Sequence, residues 1–158
     1  MEARLNLMAS PIAGKFGKHL VAANKVLAES TTVPASTLEL VKIRASQING
    51  CGFCLDMHVK DAAHAGETPE RLAMVAAWRE AKVYTEAERA ALELAEQGTR
   101  LADAAGGVPD EVWANAAKHY DEEQLAALVC AIALINAFNR ANVIVQQPAG
   151  DYRPGQFH

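Results

Sequence analysis

Apolar positions along this chain recur with a helical period, and the breaks between periodic stretches fall at Pro, Gly and Asn-Gly. Leu20, Val21, Val26 and Leu27 mark a first helix over roughly 10–29, closed by ESTTVPAS. A second is predicted to start with Ser36 as N-cap and Glu39 three residues on, a capping-box pattern. It runs through Leu40, Ile43 and Ile48 to a stop at Asn49-Gly50. A third starts at or near Cys51 and ends at Gly66, and Thr68-Pro69-Glu70 opens a fourth. Thr85 with Glu88 introduces a fifth, to about Leu101, before AAGGVP breaks it. A sixth spans roughly 109–119, and Asp121 caps a long last helix to about Val145, followed by the polar tail QQPAGDYRPGQFH. Strand-like alternation is absent. The pattern predicts one all-α domain over 1–158, a compact bundle of six to seven helices.

The last helix departs from the amphipathic rule, because residues 125–135 are apolar all round rather than along one stripe. A domain of 158 residues has few helices that its own chain can surround, so this one is expected to meet a neighbouring subunit as well. The eleven-residue run falls short of the ~20 needed to cross a bilayer.

Composition narrows the classes of partner. A formal net charge of −4 with no basic block offers no source for counterion release on nucleic acid. The N-terminal MEARLNLMASPIAGKFGKHL lacks an apolar core of signal-peptide length and is interrupted by Lys15 and Lys18, so a cytoplasmic protein with no membrane partner is expected. Three cysteines without an export signal argue for reactive or metal-binding thiols over a disulfide scaffold.

Two of those cysteines carry the chemistry. Cys54 and His58 are four apart, one helical turn, so thiol and imidazole share a face. A histidine there can take up the thiol proton, and lowering a thiol pKa of ~8.5 by about two units makes thiolate the main form at neutral pH. Cys51, at the helix start, sits where unpaired N–H groups favour an anionic sulfur. If Cys54 attacks a peroxide, Cys51 is placed to resolve the sulfenic acid to a disulfide. Glu39, on the preceding helix, would orient His58 or relay a proton if the Asn49-Gly50 turn folds the two helices together.

Other readings stay open on spacing alone. Adding His64 gives Cys-x2-Cys-x3-His-x5-His, a metal pattern, although all four ligands would lie on one helix with His64 pointing away. A metal- or redox-sensing module without turnover is therefore a rival. Glu39 could serve only as a cap, Cys130 reads as a small core residue, and His19 and His119 carry no partner signal.

SQINGCGFCLDMHVKDAAHAGE, residues 46–67, with Glu39 upstream, resembles the carboxymuconolactone decarboxylase superfamily, in particular its AhpD-like alkylhydroperoxidase branch. The stretches AWREAKVYTEAERAALELAE, INAFNRANV and YRPG resemble the smaller members of that branch. The resemblance implies an all-helical fold assembled as trimers or hexamers, with thiol-dependent peroxidase or disulfide-reductase activity on alkyl hydroperoxides or peroxide. Carried over by position, it makes Cys54 the attacking cysteine, Cys51 its disulfide partner, and His58 with Glu39 the proton relay. Phe53 stands where the best-known AhpD proteins have a further histidine, which implies a shorter relay here. No tightly bound cofactor is implied; the electrons come from an external dithiol, of lipoyl type in AhpD, which itself serves a peroxiredoxin. The superfamily's decarboxylases of aromatic lactone acids lack the cysteine pair, so a cysteine-independent lyase is the least favoured alternative.

Overall fold

A computed structural model describes residues 2–157. Among them, seven α-helices and two short 3-10 turns follow one another without a strand: α1 (Pro11–Ser30), α2 (Ala35–Asn49), α3 (Gly52–His64), α4 (Pro69–Met74), α5 (Glu86–Thr99), α6 (Asp110–Ala116) and α7 (Glu122–Val145), with the turns at Leu7–Ala9 and Val75–Ala77. The bundle is the all-α class that the periodicity predicts.

Most of the expected helix starts form as read. Thr85 and Glu88 close a reciprocal capping box at α5, and Asp121 does the same with Gln124 at α7. Thr68 accepts from the Arg71 N–H at 3.3 Å and caps α4, with Pro69 at its first position. The box expected at Ser36 and Glu39 does not form. Pro34 precedes the first residue of α2, no side chain caps this end, and the Glu39 carboxylate turns to His58 and Lys42. An ionised carboxylate gains more from the Lys42 ammonium together with the His58 ring N–H than from a single backbone N–H.

Helix α2 runs through the centre of the domain. One of its faces, with Leu38 and Val41, packs on α5, α6 and α7 around Leu94, Val112 and Leu128. Its other face, with Leu40 and Ile43, meets Ala62 of α3 together with Trp78, Tyr84 and Leu92. Leu40, Ile43, Leu92 and Leu128 are among the largest fully buried side chains. Each contributes roughly 1.5–3 kcal/mol of burial free energy. A third, smaller cluster joins Ala45, Cys51, Cys54 and Ile135, so the cysteine pair is built into the seam between α2, α3 and α7.

A buried carboxylate ties this centre to its neighbours. Glu96 on α5 accepts from Arg44 Nε at 3.0 Å, Arg44 Nη2 at 2.8 Å, Trp78 Nε1 at 3.1 Å and Arg79 Nη1 at 2.7 Å. Four donors satisfy its acceptor sites, and that is the condition under which a carboxylate tolerates burial.

Helix α7 packs one side into the domain and leaves the other open. Leu125, Leu128, Ile132 and Ile135 are buried, whereas Val129, Cys130, Val143 and Ile144 are exposed. Cys130 is therefore not the core residue expected, because an all-round apolar helix still turns only one face to its own chain. By length and composition α7 could cross a membrane, with 24 residues and an 18-residue stretch of mean hydropathy 1.7. Its inward side, however, carries Asn136 and Asn139, both buried and hydrogen-bonded. Helix α1 lies against α7 with no residue fully buried, and Ile12, Phe16, Val21 and Val26 face outward.

Candidate active site

The turn between α2 and α3 sets the geometry. Gly50 ends α2 in the left-handed conformation, φ 65°, which a residue with a Cβ adopts at a cost. The chain then reverses so that Cys51 becomes the N-cap of α3, its Sγ accepting from the Cys54 N–H at 3.4 Å. The Cys-x2-Cys spacing is thus the N-cap to N3 spacing, with sulfur in the role usually taken by a serine or asparagine oxygen.

The same turn folds α3 back along α2 and brings Glu39 against His58. Glu39 Oε2 accepts from His58 Nδ1 at 2.8 Å, while Oε1 accepts from Lys42 Nζ at 2.9 Å. Burial pushes the Glu39 carboxyl up, but the hydrogen bond and charge of His58, joined by those of Lys42, outweigh it and hold the group at about 2. An ionised carboxylate only accepts, so the Nδ1 proton is fixed towards Glu39 and Nε2 is left as the basic nitrogen of the ring. No other group among the described residues hydrogen-bonds that ring.

Both sulfurs are buried, Cys51 at 2% and Cys54 at 1% exposure, but they are not equivalent. The Cys54 thiol donating to Cys51 brings the Cys51 pKa down to about 7 against burial, with help from the backbone N–H groups of Cys54 and Phe53 and from Asn139. Cys54 moves the other way: its bond to Cys51, burial and the Cys51 charge all raise it, opposed by Asn139 and Asn142. The first thiolate of the pair therefore resides on Cys51. Across the helix seam, Asn142 Nδ2 donates to Cys54 Sγ at 3.4 Å.

An open cleft of about 280 Å³ reaches this pair, lined by Gly50, Cys51, Gly52, Asn142, Val143, Gln146 and Gln147. Cys51 is among its lining residues and Cys54 is not. No group of three or more His, Cys, Asp or Glu side chains is gathered in ligating geometry among the described residues, and His64 sits exposed at the far end of α3.

The sequence profile of the Carboxymuconolactone decarboxylase family matches residues 14–97, more than half of the chain. The chain belongs to this family. Within it, the chain is 44% identical over 115 residues to the uncharacterized protein YdfG of Bacillus subtilis strain 168, covering 73% of this chain and 77% of YdfG. It is 32% identical over 110 residues to the uncharacterized protein YnjA of Escherichia coli K12, covering 70% of this chain but 59% of YnjA. In fold it is similar to the crystal structure of ATU0492 from Agrobacterium tumefaciens, a protein of unknown function and candidate antioxidant defence protein AhpD. That match has a TM-score of 0.87 and 34% identity, over 96% of this chain and 100% of that one. The AhpD-like helical architecture implied by the sequence resemblance is thus the architecture found.

Two parts of the site in this family member escape the spacing argument. The first is a carboxamide ladder on α7. Asn139 donates to Ser46 Oγ at 3.1 Å, Asn49 donates to both Asn136 and Asn139 at 3.0 and 2.9 Å, and Asn136 donates to Thr99 at 3.1 Å. Asparagines at 136, 139 and 142, spaced by three on an otherwise apolar helix, are the sequence signal for it. The second is the tail, which folds back over α3. Tyr152 donates to Asp61 at 2.9 Å, Lys60 donates to the carbonyls of Gly150 and Tyr152, and Phe157 stacks on Tyr152 and approaches Phe53.

Proposed function

We propose that the protein is a thiol-dependent oxidoreductase of the AhpD-like type, cycling a Cys51/Cys54 couple between dithiol and disulfide at the expense of a hydroperoxide. The observation that carries this reading is the N-cap contact itself: two thiols on one helical turn, one ionising near pH 7, with a carboxylate-held histidine on the next turn. A thiol whose pKa is lowered in this way carries more thiolate at neutral pH than free cysteine does.

The geometry favours a division of labour that reverses the one implied by the resemblance. Cys51 lines the cleft, so its thiolate attacks the peroxide, an S–O bond forms, the O–O bond breaks and the alkoxide leaves as alcohol. The Cys54 thiol then attacks the Cys51 sulfenic acid, giving the disulfide and water. Cys54 must lose its proton in that step, and His58, held in one tautomer by Glu39 and one turn away, is the base at hand. An external dithiol returns the couple to its reduced form, and the cycle needs no tightly bound cofactor. The exposed apolar faces of α1 and α7 support assembly of several copies, trimer or hexamer.

Intact-mass analysis before and after one equivalent of alkyl hydroperoxide tests this. The expected product has lost two hydrogens, mapped to the Cys51/Cys54 peptide. Cys54→Ser should accumulate a sulfenic acid on Cys51. An unchanged mass in the wild type would refute the function, and a sulfenic acid trapped only on Cys54 in Cys51→Ser would refute the order.

A further inference from the structure

We propose that Asn142 is a catalytic residue of the reductive half of the cycle: its side-chain N–H receives Cys54 as a thiolate when an external dithiol opens the disulfide at Cys51. This rests on the dithiol/disulfide reading above and adds a residue which that reading does not use.

Three placements point to it. Cys51 lines the cleft and Cys54 does not, so an incoming thiolate meets Cys51 and the sulfur expelled is Cys54. Cys54 is 1% exposed, so water cannot solvate the departing charge. Asn142 Nδ2 stands 3.4 Å from Cys54 Sγ and lines the same cleft, so one carboxamide spans the point of entry and the leaving sulfur.

The backbone that carries this carboxamide is held on both sides. One turn back, Asn139 is fixed by Ser46 and Asn49. One turn on, the main-chain carbonyl of Asn142 accepts from the Gln147 N–H at 2.9 Å, and the chain leaves the helix through Gln146 in the left-handed conformation, φ 55°. Gln146 is the one non-glycine residue with positive φ among those described. Such a conformation persists where its surroundings impose it, and here it terminates α7 about one turn beyond Asn142.

The step balances as an ordinary exchange. A thiolate of the dithiol attacks Cys51 Sγ, a mixed disulfide forms, the Cys51–Cys54 bond breaks, and its electron pair leaves on Cys54. The second thiol of the reductant then closes its own ring on the mixed disulfide and releases Cys51. Two electrons and two protons pass to the protein, and the dithiol leaves as a cyclic disulfide. Exchange is faster the better the leaving thiolate is stabilised, and a hydrogen bond to an ionised group is among the stronger ones available.

The test uses full-length protein with the Cys51–Cys54 disulfide preformed by hydroperoxide or diamide. Its reduction by excess dithiothreitol at pH 7 is followed by stopped flow. Asn142→Leu removes the donor and should slow the second-order reduction roughly tenfold or more, the scale of a hydrogen bond to a charged group. Asn142→Asp keeps the shape and replaces the donor by an anion, so it should be slower still; it also decides the matter if the leucine variant does not fold. A structural role alone would not move a pH profile. In the Cys51→Ser background, alkylation of Cys54 should shift to higher pH when Asn142 is replaced by either residue. Wild-type reduction rates with an unmoved alkylation profile would overturn the role of Asn142 while leaving the couple intact. A wild type in which neither oxidant forms the disulfide would instead overturn the couple, and the role of Asn142 with it.

Discussion

Replacing Glu39 by Gln tests the pairing on which the histidine depends. Gln is close in shape to the protonated acid: it still offers an oxygen to His58 Nδ1, but it carries no charge. The stability lost on substitution therefore approximates the difference between the ionised and protonated forms of Glu39 in the folded protein. Its pKa falls from an ordinary 4.5 to about 2 on folding. That difference corresponds to about 3 kcal/mol at ~1.4 kcal/mol per unit. The sign follows from a depressed pKa: the contribution is complete above pH 4.5 and is lost as the pH falls towards 2. The Glu39 side chain is 21% exposed, so solvent screening leaves most of the effect in place. Urea unfolding of wild type and Glu39→Gln between pH 7 and pH 2 should show a gap of about 3 kcal/mol at the upper end, equivalent to roughly 6–12 °C in Tm for a domain of this size. The gap should close as the acid limit is approached. A gap that stays constant across that range, or a difference below about 0.5 kcal/mol at neutral pH, would refute the charge-based account of this pair.

Three further outcomes follow from named contacts. Alkylation of the reduced protein should reach half its maximal rate at Cys51 near pH 7, with Cys54 reacting only at higher pH, as read by peptide mass mapping; equal profiles would contradict the asymmetry of the pair. Glu96→Ala strands the guanidinium of Arg44 and the Trp78 N–H in the core. It should cost about 3–5 kcal/mol in denaturant unfolding, whereas a surface ion pair would cost below 1. Ile12→Lys with Phe16→Lys alters side chains that are 79% and 61% exposed in the single chain, so it should leave the fold intact but reduce the mass seen in sedimentation velocity if α1 joins subunits.

The helices were legible because their ends are written in local chemistry. Thr85 with Glu88 and Asp121 with Gln124 have no stronger partner elsewhere, so the capping boxes form. Ser36 with Glu39 reads the same way locally, yet Glu39 has a better partner nineteen residues on, which the sequence offers only on the condition that the Asn49-Gly50 turn folds the two helices together. Cys130 was misplaced for a related reason: composition shows that a helix is apolar, but not which side its own chain covers. The Cys51/Cys54 spacing was informative because it coincides with a cap. Which sulfur ionises first was not, because that depends on which thiol donates to the other and on how each is buried at the turn, and spacing gives neither.

The hydrogen-bonding groups that α7 brings to the sulfurs are amides, and among the described residues no lysine or arginine is hydrogen-bonded to either sulfur. A lysine or arginine against a sulfur would hold it as thiolate permanently, and a couple whose reduced form is so favoured is hard to close. A carboxamide offers a partial positive end of smaller depth, enough to ease a thiolate into a buried place without locking it there. Amides also ask more of the fold, since each buried one must find partners for its own N–H groups and oxygen. Asn49, Ser46 and Thr99 meet that demand, and no buried side-chain nitrogen or oxygen among the described residues is left without a partner. A slip of α7 by one residue against α2 would break every one of those bonds at once, so the ladder that surrounds the sulfurs also fixes the register of the helices that carry them.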